Sequence, residues 1–145
     1  MKKVAATEKE PSRRELAAIM ERQLTAATSA AAGALEPALA AAAAAAALED
    51  KTPRATGRPH PVKSSHELWG ELLLVAKRPA EAKTQFERAL WRMPNRSSSL
   101  LGLARAAAAS GDRASARTHY QAFLRNWTAA DPGRPEIAEA RLGTR

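Results

Sequence analysis

The apolar residues of this chain recur at spacings of three and four positions, which is the period of an amphipathic α-helix. Leu16, Ile19, Met20 and Leu24 form the first apolar stripe of this kind. Alternating apolar and polar runs, which would indicate strands, are absent, and valine and isoleucine are few. We therefore predict an all-α protein.

Local signals bound the first helix. Ser12 and Glu15 fit a capping box, in which each side chain accepts a hydrogen bond from the other residue's amide. Gly33 follows a run of alanines and can end the helix in the left-handed conformation. Residues 1–11 have mixed charge and end in a proline, so we predict that they are disordered.

A second helix is predicted from near Pro37 to Glu49 or Asp50, so that residues 12–50 form an N-terminal helical pair. The eight alanines at 40–47 favour helix formation, but each offers only about one methyl group for burial. We expect a helix that forms easily and docks weakly. Two interpretations stay open: a smooth surface for close approach of another helix, or low-complexity drift.

A proline-rich segment separates this pair from the rest of the chain. Residues 51–62 contain three prolines, which do not fit inside a helix, and one glycine, which loosens the backbone. We predict a linker or a long surface loop.

The remaining segment repeats itself with a period of 34 residues. Alignment of residue 63 with residue 97 needs no gap, and it predicts two helical hairpins, 63–96 and 97–130. Small residues fit where two helices cross closely, and a large aromatic residue fills the space between neighbouring hairpins. The matched landmarks are Gly70 with Ala104, Ala82 with Ala116, and Phe86 with Tyr120.

These landmarks resemble those of the tetratricopeptide repeat (TPR) family, whose units are 34 residues long and contain two helices. The resemblance covers residues 63–128 and includes the Ala82-to-Phe86 step and the closing Pro94. It implies antiparallel hairpins stacked as a short α-solenoid. The packing positions that it implies are Trp69, Gly70, Leu73, Ala82, Phe86, Ala89 and Pro94 in the first copy, and Leu103, Ala104, Ala116 and Tyr120 in the second.

The second copy departs from the family pattern at Phe123, where a small residue is usual, and at Thr128, where proline is usual. These departures suggest a terminal unit. The stretch that leads into the first copy also resembles the C-terminal part of longer, mostly uncharacterised bacterial TPR proteins.

Other local signals mark the ends of the later helices. Ser64 and Glu67 fit a second capping box, and Gly111 can end a helix. Residues 131–145 are predicted to be a capping helix and tail, because the end of a stack needs a cover. This helix opens at Pro135, runs to about Leu142 and is anchored by Ile137.

The TPR resemblance implies binding of a peptide or protein segment in a concave groove lined by the first helix of each unit. On that face we place Glu67, Glu71 and Leu74 from the first copy, and Leu101 and Arg105 from the second. Two glutamates there disfavour the basic clamp with which family members grip an acidic C-terminus. We therefore expect a basic or mixed-charge apolar segment as the ligand of a non-enzymatic scaffold.

Two repeats are few for a stable stack, because each unit buries its apolar face only against a neighbour and about three are usually needed. Three explanations stay open. The N-terminal pair docks on the first copy, the protein self-associates, or the chain is a fragment.

Candidate catalytic and metal chemistry is not supported. His66 and Glu67 open the stretch HELWGELLL, but Gly70 stands where a zinc-binding helix needs its second histidine. The three histidines share no metal-ligand spacing, and the chain has no cysteine. We predict no enzymatic activity, no metal and no cofactor.

The formal net charge of +8 favours anionic partners, and residues 63–145 hold fourteen basic against eight acidic groups. Nucleic acid or another polyanion is therefore the alternative ligand. Two other interpretations of these charges stay open, namely GC-rich coding and a solvated helix surface with interleaved acids. The groups considered for phosphate or base contacts are Arg88, Arg92, Arg96, Arg105, Arg113, Arg117, Arg125, Trp91 and Trp127.

The N-terminus, MKKVAATEKEPSRREL, has basic residues but lacks the apolar core of a signal peptide. The longest uncharged stretches are alanine, and the window around them holds Gly33, Glu36 and Pro37, so we predict no spanning helix. We expect a soluble, cytoplasmic protein.

Overall fold

The computed structural model of this chain describes residues 11–54, 61, 63–128 and 133–145, and within them it contains no strand. The all-α prediction is confirmed for this part of the chain. Predictions on residues 1–10, on 55–60 and 62 of the linker, and on 129–132 lie outside the described residues. The helices are α1 (Arg13–Ala31), α2 (Leu35–Glu49), α3 (Ser65–Val75), α4 (Pro79–Arg92), α5 (Ser97–Ala109), α6 (Arg113–Arg125) and α7 (Pro135–Gly143).

The predicted capping box is present at the start of α1. The Ser12 amide donates to Glu15 Oε2 at 2.7 Å, and the Glu15 amide donates to Ser12 Oγ at 3.2 Å. These bonds satisfy two amides that a helix start leaves without partners. Gly33 follows the helix with a φ of +76°, a conformation in which a side chain would be strained.

The apolar stripe of α1 is only partly buried. Ile19 is fully buried, whereas Met20 is 59% and Leu24 is 65% exposed. The buried face passes through Ile19 and Ala26 instead. The short side chain of Ala26 lets α2 lie close to α1. The orientation of α1 is therefore set by its contact with α2 and not by its largest apolar residues.

The alanine run of α2 packs closely against both α1 and α3. Ala38, Ala42 and Ala45 are fully buried, and Ala46 is 1% exposed. Each of these methyl groups lets two helix axes approach and is itself removed from water. Among the described helices, including α2, none is both long and apolar enough to cross a bilayer.

The helices pack as successive hairpins. α1 pairs with α2, α3 with α4 and α5 with α6, while the second helix of each pair contacts the first helix of the next element. Contacts between α1 and α3 and between α3 and α5 place the first helices side by side. α7 ends one residue beyond its predicted end, and its anchor Ile137 is buried as predicted.

The α1–α2 hairpin buries residues at the same positions as the other two hairpins, which the sequence alone did not reveal. The C-cap residues of α1, α3 and α5 are Ala32, Ala76 and Ser110. Positions at equal distances from these caps are buried in all three hairpins. Before the cap, the buried residues are Ala26, Gly70 and Ala104. After the cap, the first set is Ala38, Ala82 and Ala116, and the second set is Ala42, Phe86 and Tyr120.

Phe86 connects two hairpins in the core. Its side chain is fully buried between α3 and α5. A Cβ atom on Gly102 would lie 2.3 Å from the Phe86 ring, and one on Gly70 would lie 2.9 Å from it. Both distances are too short for a real contact, so a larger residue at either position would have to displace the ring.

A buried polar junction joins α2 to α3 and α4. Glu49 is fully buried, pairs with Arg92 at 3.2 Å and accepts a hydrogen bond from Ser64 Oγ at 3.1 Å. Its carboxylate also accepts from the amide of Ser65 in the first turn of α3. The predicted capping box of Ser64 with Glu67 is wrong, because the carboxylate at this helix start comes from the preceding helix.

Candidate functional site

A groove of about 370 Å³ lies along α3 and α5, which are the first helices of their hairpins, and along α7. Four of the five residues that the sequence placed on this face line it together, namely Glu71, Leu74, Leu101 and Arg105. The side-by-side packing of the first helices brings these four residues into one site. The lining residues that sequence reasoning did not assign to the groove include Ser97, Ser98, Trp127, Arg134, Glu136 and Ile137.

Glu67 is not part of the groove, although the sequence placed it there. It is 1% exposed, accepts from Arg96 Nε at 2.6 Å and accepts from Ser99 Oγ at 2.7 Å. The hydrogen bond to Glu67 raises the pKa of the Arg96 guanidinium above its ordinary value. Glu67 thus joins α3 to the start of α5. Its carboxylate is paired inside the protein and is not presented to a ligand.

Glu71 and Leu74 form the α3 wall of the groove. Glu71 Oε2 lies 2.6 Å from Lys63 Nζ, and both side chains are nearly half exposed. Solvent screens such a pair, so Lys63 can turn aside at small energetic cost. Leu74 packs at the edge of the core around Phe86 and presents part of its surface to the groove.

Arg105 and Glu139 join the α5 wall to α7. The Arg105 guanidinium donates two hydrogen bonds to the Glu139 carboxylate, at 2.6 and 2.9 Å. These bonds lower the pKa of Glu139, and they raise the pKa of Arg105. The Tyr120 hydroxyl donates to the same carboxylate at 3.1 Å. Arg105 is therefore held in a fixed orientation at the groove edge.

We expect the single tyrosine of this chain to titrate at unusually high pH. Burial, followed by the Glu139 carboxylate, raises the pKa of Tyr120 to about 12 from its ordinary value of 10.0. Because the folded value is the higher one, the contribution of this group to stability is complete below pH 10 and is lost as pH rises towards 12. Tyrosinate absorbance of the native and the urea-unfolded protein measures both values. A native midpoint near 10 would contradict the contact with Glu139.

Trp127 closes the C-terminal end of the groove. The Arg134 guanidinium lies 4.9 Å from the centre of the indole ring, a cation–π distance. The ring also packs against Phe123 at 5.9 Å. The buried Trp127 Nε1 has no hydrogen-bond acceptor among the described residues. An indole and a guanidinium therefore lie together at one end of the groove.

The three histidines of the chain do not form a site in the part that the structure describes. His66 is 1% exposed and lies 2.9 Å from both Gln85 Oε1 and Asp50 Oδ1. His119 lies on α6, and burial lowers its pKa. His60 is outside the described residues. No cluster of three or more histidine, aspartate or glutamate residues suited to a metal ion occurs in the described ranges.

The groove offers apolar surface with charged groups of both signs around it. Leu74, Leu101 and Ile137 contribute aliphatic surface, while Glu71 and Arg105 lie on opposite walls. Such a site can bury an apolar side chain and orient a chain through flanking charges. No protein-family model matches this chain. No curated protein is significantly similar to it.

Proposed function

We propose that this protein is a non-enzymatic interaction scaffold that binds a peptide or protein segment in the groove along α3, α5 and α7. The observation that supports this function most directly is the convergence of Glu71, Leu74, Leu101 and Arg105 on one cavity of about 370 Å³. Those residues come from two successive hairpins. The proposed groove therefore depends on the stacking of the hairpins.

We further propose that the hairpins form a short TPR-type α-solenoid. The period of 34 residues and the buried small and aromatic landmarks support this proposal. The α1–α2 hairpin supplies the third unit that such a stack usually needs, with Ala42 at the aromatic position. First helices line the concave side of such stacks, which agrees with the position of the groove.

The charges of the groove favour a segment that is mixed in charge. Glu71 and Glu136 are balanced by Arg105 and Arg134, so the site has no excess of positive charge to attract a polyanion. Since Glu67 is buried, the acidic face expected from the sequence is reduced to one residue of α3. The proposed ligand has an apolar anchor residue, with a basic group towards Glu71 and an acidic group towards Arg105.

A displayed library of random peptides tests this function. We expect peptides selected on the wild-type protein to bind with a dissociation constant in roughly the micromolar range. The Ser98→Arg substitution should weaken them at least about tenfold, because Ser98 is exposed, lies in the groove and makes no core contact. Fluorescence anisotropy with a labelled peptide measures the affinity.

Ala80→Arg provides the matched control. Ala80 is the second residue of α4, as Ser98 is of α5, and it is exposed outside the groove. Both substitutions add one arginine at the same helical position. Equal binding of the selected peptides to both variants, or failure to select any peptide, would overturn the proposed function.

A further inference from the structure

The exposed face of α6 carries positive charge that no described carboxylate pairs. α6 contains Arg113, Arg117 and Arg125 and has no acidic residue within its length. Within the described residues, no carboxylate lies within 4.0 Å of any of these three guanidinium groups. All three side chains are exposed.

The second helix of the preceding hairpin shows the contrast. On α4 and at its N-cap the exposed arginines and lysine lie beside carboxylates, so that helix presents ion pairs rather than free cations. The pairs are Arg78 with Glu81 at 2.6 Å, Lys83 with Glu87 at 4.0 Å, and Arg88 with Asp50 at 3.1 Å. The two helices occupy the same position in their hairpins, so α6 differs from α4 in presenting arginines that no described carboxylate pairs.

Two acidic groups, one at the start of α6 and one on α7, are already engaged. Asp112 caps α6 by accepting from the Ser115 amide at 3.0 Å, and hydrogen bonds from the Ser115 side chain and then from its amide lower the pKa of Asp112. Glu139 on the neighbouring α7 is held by Arg105 and Tyr120. Neither carboxylate forms an ion pair with an arginine of α6. The positive charge of the face is therefore available to a ligand.

The arrangement of the arginines fits a phosphate backbone. From Arg113 to Arg125 the helix axis advances about 18 Å, a length over which one strand of a duplex presents about five phosphates. Arg117 and Arg125 also line a shallow depression with Gln121, Thr128 and Thr144. Amide and hydroxyl side chains are common partners of phosphate oxygens beside arginine.

The other exposed residues of α6 distinguish between classes of anionic partner. They are Ala114, Thr118 and Gln121, and Leu124 in the depression beside them is only partly exposed, so the face has no fully exposed large apolar side chain to insert into a lipid surface. It also has no aromatic side chain on which an unpaired base could stack. These features favour a duplex whose backbone is contacted without reading of the bases.

We propose that the exposed face of α6, through Arg113, Arg117 and Arg125, binds the phosphate backbone of double-stranded nucleic acid without sequence preference. None of these residues lines the groove, so this second site is separate from the proposed peptide site. The two sites leave the scaffold free to hold a peptide segment and a nucleic acid together.

The salt dependence of binding to a labelled DNA duplex of mixed sequence tests this inference. We expect the R113Q/R117Q/R125Q variant to bind at least about tenfold more weakly at low salt. Its plot of log affinity against log salt concentration should be shallower by about 2.7, because each lost phosphate contact removes about 0.9 from the slope. The R13Q/R14Q/R22Q variant is the matched control, since it removes three exposed arginines of α1 and the same charge.

Each other outcome contradicts the inference. Equal losses in the two variants would show attraction by net charge alone, and absence of wild-type binding at low salt would exclude the site. Binding that depends on α6 but occurs only on phosphatidylserine vesicles would assign the face to a membrane surface. Both variants change only exposed side chains. Circular dichroism spectra confirm that a loss of DNA affinity is not due to unfolding.

Discussion

Deletion of residues 1–50 is expected to lower the melting temperature strongly and to promote self-association. Ala26, Ala38 and Ala42 share one core with Leu73 and Phe86, so the deletion exposes apolar surface of the remaining hairpins. It also removes Glu49, the buried partner of Arg92. Loss of one partner of a buried ion pair alone costs about 3–5 kcal/mol.

Thermal unfolding followed by circular dichroism, together with the mass from light scattering, measures both effects. Deletion of residues 1–10 is the control, because it removes none of the described contacts. A 51–145 chain that melts at the wild-type temperature as a monomer would contradict the docking of the N-terminal hairpin.

Replacement of Phe86 by alanine is expected to reduce the free energy of unfolding by about 3–5 kcal/mol. The ring is fully buried and fills the space beside Gly70 and Gly102, where no neighbouring side chain can replace it. Because the cavity opens between α3 and α5, the loss should weaken the stacking of two hairpins. Urea unfolding at equilibrium gives the free energy.

Trp91→Ala is the matched control for this substitution. Trp91 lies on the same helix and is larger, but it is 61% exposed. Its replacement should change the free energy of unfolding by less than about 1 kcal/mol. Similar losses in the two variants would argue against Phe86 as the centre of the core.

The boundaries of the helices could be predicted because the signals that set them are local. The capping box of Ser12 and Glu15, the left-handed Gly33 and the proline at the start of α7 act within one helical turn. Such interactions need no knowledge of the rest of the fold. The predicted positions of α1, α2 and α7 are accordingly close to the observed ones.

The faces of the helices were harder to predict because distant elements decide them. Met20 and Leu24 are exposed since the face of α1 that is buried in the fold runs through Ile19 and Ala26. Ser64 caps no amide of its own helix because its hydroxyl donates to the carboxylate of Glu49, which precedes it by fifteen residues. Spacing along one helix cannot reveal such partners.

The first hairpin was missed as a repeat for two reasons. Ala42 occupies the position that Phe86 and Tyr120 hold in the other hairpins, so the most visible landmark is lacking. The segment after α2 is also longer than the later connections, which breaks the period of 34. Only the helix ends observed in the structure align it with the other units.

Four of the five groove residues were identified because the repeat predicts which positions of a first helix face the concave side. The prediction that Glu67 lines the groove is wrong because Arg96 and Ser99 of the next unit enclose this side chain. Arg134 and Glu136 were missed since the sequence gives α7 only a capping role. Their position in the groove follows from how α7 packs on α6.

The chemical-shift footprint of a library-selected peptide on isotope-labelled protein tests the central claim most directly. A peptide bound as proposed should shift amide signals of α3, α5 and α7 around Glu71, Leu101 and Glu136, and should leave the exposed faces of α4 and α6 unchanged. A footprint confined to α4 and α6, with no change along α3 and α5, would contradict the proposed groove.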